Sequence, residues 1–210
     1  MTTLDTPVAA RLQGRSLSWR LGASTTAAIG IVLVAWAVSI DVVKATGPGF
    51  MGDAATYYTL GRSLASDFDF EFQRADLARV WEQYASGPEG VFLKRHDSRL
   101  YFAKAYIYPL CAAPFIWLFG ANGFLVFHAL LMTACFLCAY SFLCARSHPV
   151  GALIFAAAFL FVSLVPAYMV QIGPDFFIFA VVLLGYYFWC YKEVAGPAPG
   201  GMRPSWRARW

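Results

Sequence analysis

Residues 28–40 read AIGIVLVAWAVSI, the centre of an almost wholly apolar stretch over residues 23–43. About 20 such residues let a helix cross roughly 30 Å of hydrocarbon. A cleaved signal peptide is the rival reading, with small residues near Val43-Lys44-Ala45. The stretch is long for a signal core, which favours a span. The whole chain agrees with the stretch. Its 210 residues are 60% hydrophobic, 18% aromatic and only 13% charged, with a mean hydropathy of +0.57. Soluble domains run near 45–50% apolar and about 25% charged. A disordered tail, a coiled coil, a disulfide-stapled secreted domain and an ordinary cytosolic enzyme are excluded. Cys111, Cys135, Cys138, Cys144 and Cys190 all fall in apolar runs, so they read as small buried hydrophobes.

Outward from this stretch the character changes. Residues 44–103 hold most of the acids, and with Lys104 eight of the sixteen Lys/Arg. Two helices are expected there. One covers residues 53–65, with Asp53 as its N-cap and Tyr57, Leu60 and Leu64 on one face. The other covers residues 74–84, with Leu77, Val80, Trp81 and Tyr84 on one face. Both read as amphipathic helices on the membrane surface or as part of a small extramembrane domain. Residues 91–93 and 100–102 flank a polar turn and suit a hairpin.

Further apolar runs cover residues 123–144, 150–170 and 176–191. Residues 106–119 form a shorter run with Pro109 and Pro114, a length that suits an interfacial or re-entrant helix. The charges decide that choice. If this run does not cross, Arg11, Arg15, Arg20, Arg146, Lys192, Arg203, Arg207 and Arg209 share one side, and the short loop 171–175 opposite carries no Lys or Arg. That satisfies the positive-inside rule.

The expected fold is an all-α integral membrane protein with four transmembrane helices. Amphipathic or juxtamembrane helices lie in a large first outer loop, beside one short interfacial or re-entrant helix. The expected order is a basic cytoplasmic N-terminus (1–22), a first span (23–43), an outer loop (44–103) and the interfacial helix (104–119). Spans at 122–145, 149–170 and 174–192 and a basic cytoplasmic tail (193–210) follow. Membrane orientation explains the net charge of +4 without nucleic acid.

Chemistry is expected at the junctions of the outer loop. Asp53 follows the first span and Gly47-Pro48-Gly49. A carboxylate there activates a hydroxyl or helps hold a divalent cation, or simply caps a helix. Lys104 stands where the chain re-enters the membrane. There a cation suits a lipid phosphate, or simply snorkels. Lys94, Arg95, His96 and Arg99 add a basic cluster. Asp175 opens the last span as a cap or as a second acid of an outer-face site. Asp41 and His128 read as a hydrated and a hydrogen-bonded residue, respectively.

The stretch GDAATYYTLGRSLASDFDFEF (52–72) resembles the first outer loop of the GT-C glycosyltransferases. SRLYFAKAYIYPLCAAPFIWLFGANGFLVFHALL (98–131) is similar to a second hallmark. There a short Leu-Tyr strand precedes a Lys, a Pro-containing interfacial helix and the next span. GPDFFIFAVVLLGYYFW (173–189) resembles a later family helix that opens on an acid. Two departures are visible. Asp53 is followed by Ala54 where members often carry a second acid, and after Lys104 the proline is delayed to Pro109. The resemblance covers residues 20–195 and only the N-terminal portion of a full enzyme.

The resemblance implies a transferase at the extracytoplasmic face of a bacterial inner membrane, with both termini cytoplasmic and the large loop periplasmic. The donor is a polyprenyl-phosphate-linked sugar. Asp53 becomes the catalytic acid, as base or as a ligand of Mg or Mn. Lys104 contacts the donor phosphate. Tyr57, Tyr58, Lys94, Arg95, His96 and Asp175 complete the candidate binding set. Membrane lipids and an additional membrane subunit are the expected partners. The alternative is a non-catalytic truncated homologue or split subunit that binds lipid-linked sugar or completes a larger enzyme. A small transporter or flippase subunit fits less well, because the spans hold few polar residues.

Overall fold

The computed structural model describes the backbone of residues 6–46 and 51–195, and side chains of residues 18–45 and 51–191. The Gly47-Pro48-Gly49 turn, the tail from residue 196 and the side chains of Arg11, Arg15 and Lys192 lie outside the described residues. The chain is mostly helical. It runs α1 (Thr6–Ser39), α2 (Val42–Thr46), α3 (Gly52–Ser66), α4 (Arg74–Trp81), β1 (Leu93–His96), β2 (Arg99–Phe102), α5 (Ile107–Phe119), α6 (Gly123–Cys144), α7 (Pro149–Phe161), α8 (Val165–Met169) and α9 (Pro174–Ala195).

Among the described residues three helical stretches are long and apolar enough to cross a membrane: Ser18–Ser39, Ile107–Cys144 and Pro174–Tyr191. The middle one is bent. Gly120 ends α5 at φ 59°, and a 3₁₀ turn (Gly120–Asn122) leads into α6. Only glycine takes that backbone conformation without strain. Gly123 then meets Ile116 so closely that a Cβ would stand 2.4 Å from its backbone. Tyr108, Phe115 and Ile116 of α5 all meet the first two turns of α6, at Gly123, Phe124, Phe127 and His128. So α5 crosses the end of α6 rather than extending it.

The helix α6 is the hub, and its neighbours alternate in direction. Tyr140 donates from its hydroxyl to the Ser18 carbonyl, and Asn122 donates to the carbonyls of Val38 and Ile40. Hence α1 runs antiparallel to α6, and Asn122 satisfies carbonyls that the end of α1 leaves open. Phe136 meets Phe161, so α7 also runs antiparallel to α6. His128 meets Phe176, and Ser141 meets Tyr187, so α9 runs parallel to it. The end of α1 and the starts of α6 and α9 therefore share one end of the bundle. The segment between α1 and α6 meets the bundle at that end, where α3 and α5 pack on the first turns of α6.

Two expectations are corrected here. The run 149–170 is not one continuous helix. The helix α7 has 13 residues, about 20 Å at 1.5 Å per residue. It stops at Val162, and α8 follows as a single turn. Pro166 lacks the N–H that would bond the Val162 carbonyl, and its ring clashes there. The Ser163 hydroxyl accepts from the Val165 N–H instead. The second correction concerns α3, which is no one-sided surface helix. Residues Ala55–Leu60, Gly61, Ser63 and Leu64 are all buried. It lies between α5 and α6 on one side and the chain around Tyr84 on the other. Its buried threonines are satisfied: Thr56 donates to the Gly52 carbonyl and Thr59 to the Ala55 carbonyl.

The other elements between α1 and α5 match their patterns more closely. The second helix ends at Trp81 and continues to Tyr84 only as turns. Strands β1 and β2 pair antiparallel, with Leu93 opposite Phe102 and His96 opposite Arg99. This leaves Asp97 and Ser98 as a two-residue turn, with Asp97 at φ 54°.

Candidate functional site

The site begins at the N-terminus of α3. The Gly52 N–H donates to the Glu89 carbonyl, and the Phe92 N–H donates to the Thr56 hydroxyl. These bonds fix the first turn of α3 against the strand that leads into β1. Met51 is the N-cap, so Asp53 sits in the first turn and not at the cap where the sequence suggested it. There the helix dipole favours its negative charge. Its side chain remains 59% exposed.

Lys104 leaves β2 one residue after Ala103 and reaches back to Asp53. Its ammonium lies 2.8 Å from Asp53 Oδ1 and 4.4 Å from the centroid of the Phe92 ring. The hairpin register explains the ring: the Ala103 N–H donates to the Phe92 carbonyl, so Phe92 comes beside Lys104. The ammonium thus has a carboxylate and an aromatic face as partners. The hydrogen bond to Asp53 holds the Lys104 pKa above its ordinary value.

Tyr57 lies one turn beyond Asp53 on α3, almost fully buried. Its ring meets Tyr108 edge-on at 5.6 Å. Burial raises the pKa of its hydroxyl. Lys104 opposes the shift, while Asp53 and Asp175 add to it. The fields of all three charged groups therefore reach one hydroxyl. Asp175 stands in the first turn of α9, one residue inside Pro174, rather than at the cap. It also lines a groove of about 610 Å³ with Phe159, Ser163, Tyr168 and Phe176. A larger groove of about 670 Å³ lies between α6, α7 and α9, lined by Phe142, Phe155 and Tyr187 among others, and shares Phe159 and Phe179 with the first.

Beneath Tyr57 the packing is aromatic. Tyr108 stacks on His128 at 5.6 Å, and His128 meets Phe176 at 5.3 Å. His128 is fully buried. Its Nδ1 lies 2.7 Å from the Met169 carbonyl, to which it donates. This bond ties the loop before α9 to α6, and with it the position of Asp175.

The structure thus brings Asp53, Lys104, Tyr57 and Asp175 to one end of the bundle. It does not bring the rest of the candidate set there. Tyr58 is engaged elsewhere: its hydroxyl donates to Gln83 and its ring meets Tyr84 and Phe124. Lys94, Arg95 and His96 lie along exposed β1, near the hairpin tip. Asp41 pairs with Lys44 at 3.1 Å, as a hydrated surface residue would. Among the described residues no group of three His, Cys, Asp or Glu gathers to hold a metal ion. Phe92, Tyr108 and Met169 were missed by the sequence reading. Only Phe92 had a signal, in the register that a two-residue hairpin turn imposes.

No family model matches the chain, and no match is found among curated proteins or solved structures.

Proposed function

We propose that the chain is a membrane glycosyltransferase module that transfers a sugar from a polyprenyl-phosphate donor to an acceptor hydroxyl. The single observation that carries this reading is the Asp53–Lys104 pair. Two residues 51 positions apart meet at 2.8 Å where the outer segment leaves and rejoins the helical bundle. The topology proposed with it has four crossings, α7 and α8 together making the third. The outer segment then lies on the extracytoplasmic face.

The chemistry asked of these residues is simple. The acceptor hydroxyl attacks the anomeric carbon of the donor sugar and gives its proton to Asp53. The bond from that carbon to the phosphate oxygen breaks, and polyprenyl phosphate leaves. Lys104 holds the charge that develops on the departing phosphate. Tyr57 and Asp175 orient hydroxyls of sugar or acceptor, and the apolar groove that begins at Asp175 takes the isoprenoid chain.

The test is sugar transfer from a lipid-linked donor in membranes, with Asp53→Asn and Lys104→Ala compared at equal expression. Asp53→Asn is expected to lower turnover by about 10²–10⁴-fold, the usual worth of a positioned base. Lys104→Ala is expected to lower donor affinity and turnover together. Wild-type activity in both variants would end the assignment. A chain without activity alone that co-purifies with a second membrane subunit would favour the split-subunit alternative.

A further inference from the structure

The segment after α3 reads Asp67-Phe68-Asp69-Phe70-Glu71-Phe72. Its end is extended along β2: the Phe72 N–H donates to the Leu100 carbonyl, and the Phe102 N–H donates to the Phe70 carbonyl. In an extended segment alternate side chains point to opposite faces. A segment that borders water places its acids outward and its aromatics inward.

Here the placement is reversed. Asp67 pairs with Arg79. Asp69 accepts from Ser63 and from Gln73, each at 3.0 Å. Glu71 pairs with Arg99 at 3.3 Å and is only 27% exposed. Each acid is held by a named donor, and Asp69 and Glu71 are half-buried against the protein, while Asp67 at the start of the turn stays 41% exposed. The aromatics between them are turned out: Phe68 is 77% exposed and Phe70 41%. Phe68 also sits at φ 59°, where a bulky residue is strained and glycine is usual. The fold holds a phenylalanine at that position with its ring in the open.

The surroundings show what medium that face meets. The Phe70 ring contacts Tyr106 at 5.3 Å. Tyr106 directly precedes Ile107, where the long apolar stretch to Cys144 begins. The outer side of α5 continues the same apolar surface through exposed Ile107, Cys111, Trp117 and Leu118. Aromatic rings at the end of an apolar stretch belong at the boundary between headgroups and acyl chains.

We propose that Phe68 and Phe70 insert into the bilayer interface beside α5 and anchor the outer segment to the membrane through a loop. The membrane contact expected of the face of α3 is thus made by the turn at its C-terminal end. The inference does not depend on the transferase reading.

The experiment uses the full chain in phosphatidylcholine–phosphatidylglycerol nanodiscs. 4-Fluorophenylalanine is placed singly at positions 68, 70, 136 and 188. Position 136 is fully buried and 188 is an exposed position on α9. Fluorine line widths are read with a nitroxide lipid labelled near the headgroup and with a water-soluble gadolinium chelate. The expected result is strong broadening of 68 and 70 by the nitroxide lipid, comparable with 188, and weak broadening by the chelate. Stronger broadening by the chelate would show a water-facing loop and overturn the proposal. Broadening by neither probe would show a protein cover, such as a second copy, and would overturn it equally. Phe68→Gly provides the second arm, because glycine suits φ 59°. Amide exchange over residues 66–73 is expected to rise several-fold in nanodiscs when the ring is lost. Unchanged exchange would also refute the anchor.

Discussion

Replacing Gly123 by alanine puts the packing of the bundle end that carries Asp53 and Lys104 to a direct test. A Cβ at this position would lie 2.4 Å from the Cα and the N of Ile116 and from the carbonyl carbon of Phe115. Carbon atoms rest at about 3.5–4.0 Å, so α5 and α6 must part by about 1 Å. The obstacle is backbone on both sides, and no rotamer change relieves it. Overpacking of this kind costs about 1–3 kcal/mol. For a chain of this size that lowers Tm by about 2–12 °C. Gly185, in the middle of α9, is the control, because a Cβ there meets nothing within 4 Å. Gly185→Ala is expected to gain up to about 1 kcal/mol from helix propensity. Gly61 is intermediate: its Cβ would meet only the ends of the Phe124 and Ile116 side chains, at 2.5 and 2.7 Å, and these can shift. Thermal unfolding of the three variants in one detergent should rank Gly185→Ala above Gly61→Ala and Gly61→Ala above Gly123→Ala. Gly123→Ala melting at or above Gly185→Ala would refute the close crossing of α5 and α6. It would also undermine the placement of Lys104, which precedes α5.

Two further outcomes follow from the electrostatics. Lys104 has its pKa raised by Asp53, so the pair stabilises the fold below the ordinary lysine value of 10.5 and loses that contribution as pH rises through the folded value. Wild type should therefore exceed Asp53→Asn in stability by a constant margin at neutral pH, and the margin should narrow in alkali. A margin unchanged beyond the lysine titration would deny the pair. Asp76 is buried, and burial raises its pKa above 3.8 although Arg79 lies 3.3 Å away. Arg79→Met leaves this carboxylate without its cation and should cost about 1–3 kcal/mol at neutral pH. Because the raised pKa favours the protonated form in the fold, the deficit should narrow as pH falls toward 3.8. A chemical-denaturation series against pH reads both predictions.

Much of this protein was legible in its sequence for reasons of solvent and local geometry. Runs of about 20 apolar residues suit the membrane interior, and the polar turn between residues 91–93 and 100–102 suggested a hairpin, whose strands pair further toward the tip, over 93–96 and 99–102. Charge gave the expectation that residues 106–119 do not cross, because Arg146 and the basic tail then share the side of the N-terminus. Asp53 and Lys104 stood out because each is an isolated charge beside an apolar run. The periodicity of α3 misled, because Tyr57, Leu60 and Leu64 describe one buried face. The other faces are covered by α6 and by the chain around Tyr84, which periodicity does not register. Pro166 accounts for the break in the run 149–170, which apolar composition does not register.

The sequence alone therefore determined that the chain carries stretches long and apolar enough to cross a membrane, and that about half of its basic residues and most of its acids gather in one segment between them. Only the tertiary structure decided that Asp53 and Lys104 meet, that Tyr58 is engaged elsewhere, and that α5 crosses α6 instead of extending it. The reason is distance along the chain. Helix and hairpin signals arise among residues a few positions apart. The 2.8 Å contact between Asp53 and Lys104 depends on the burial of α3, the register of β1 with β2 and the glycines at 120 and 123 acting together.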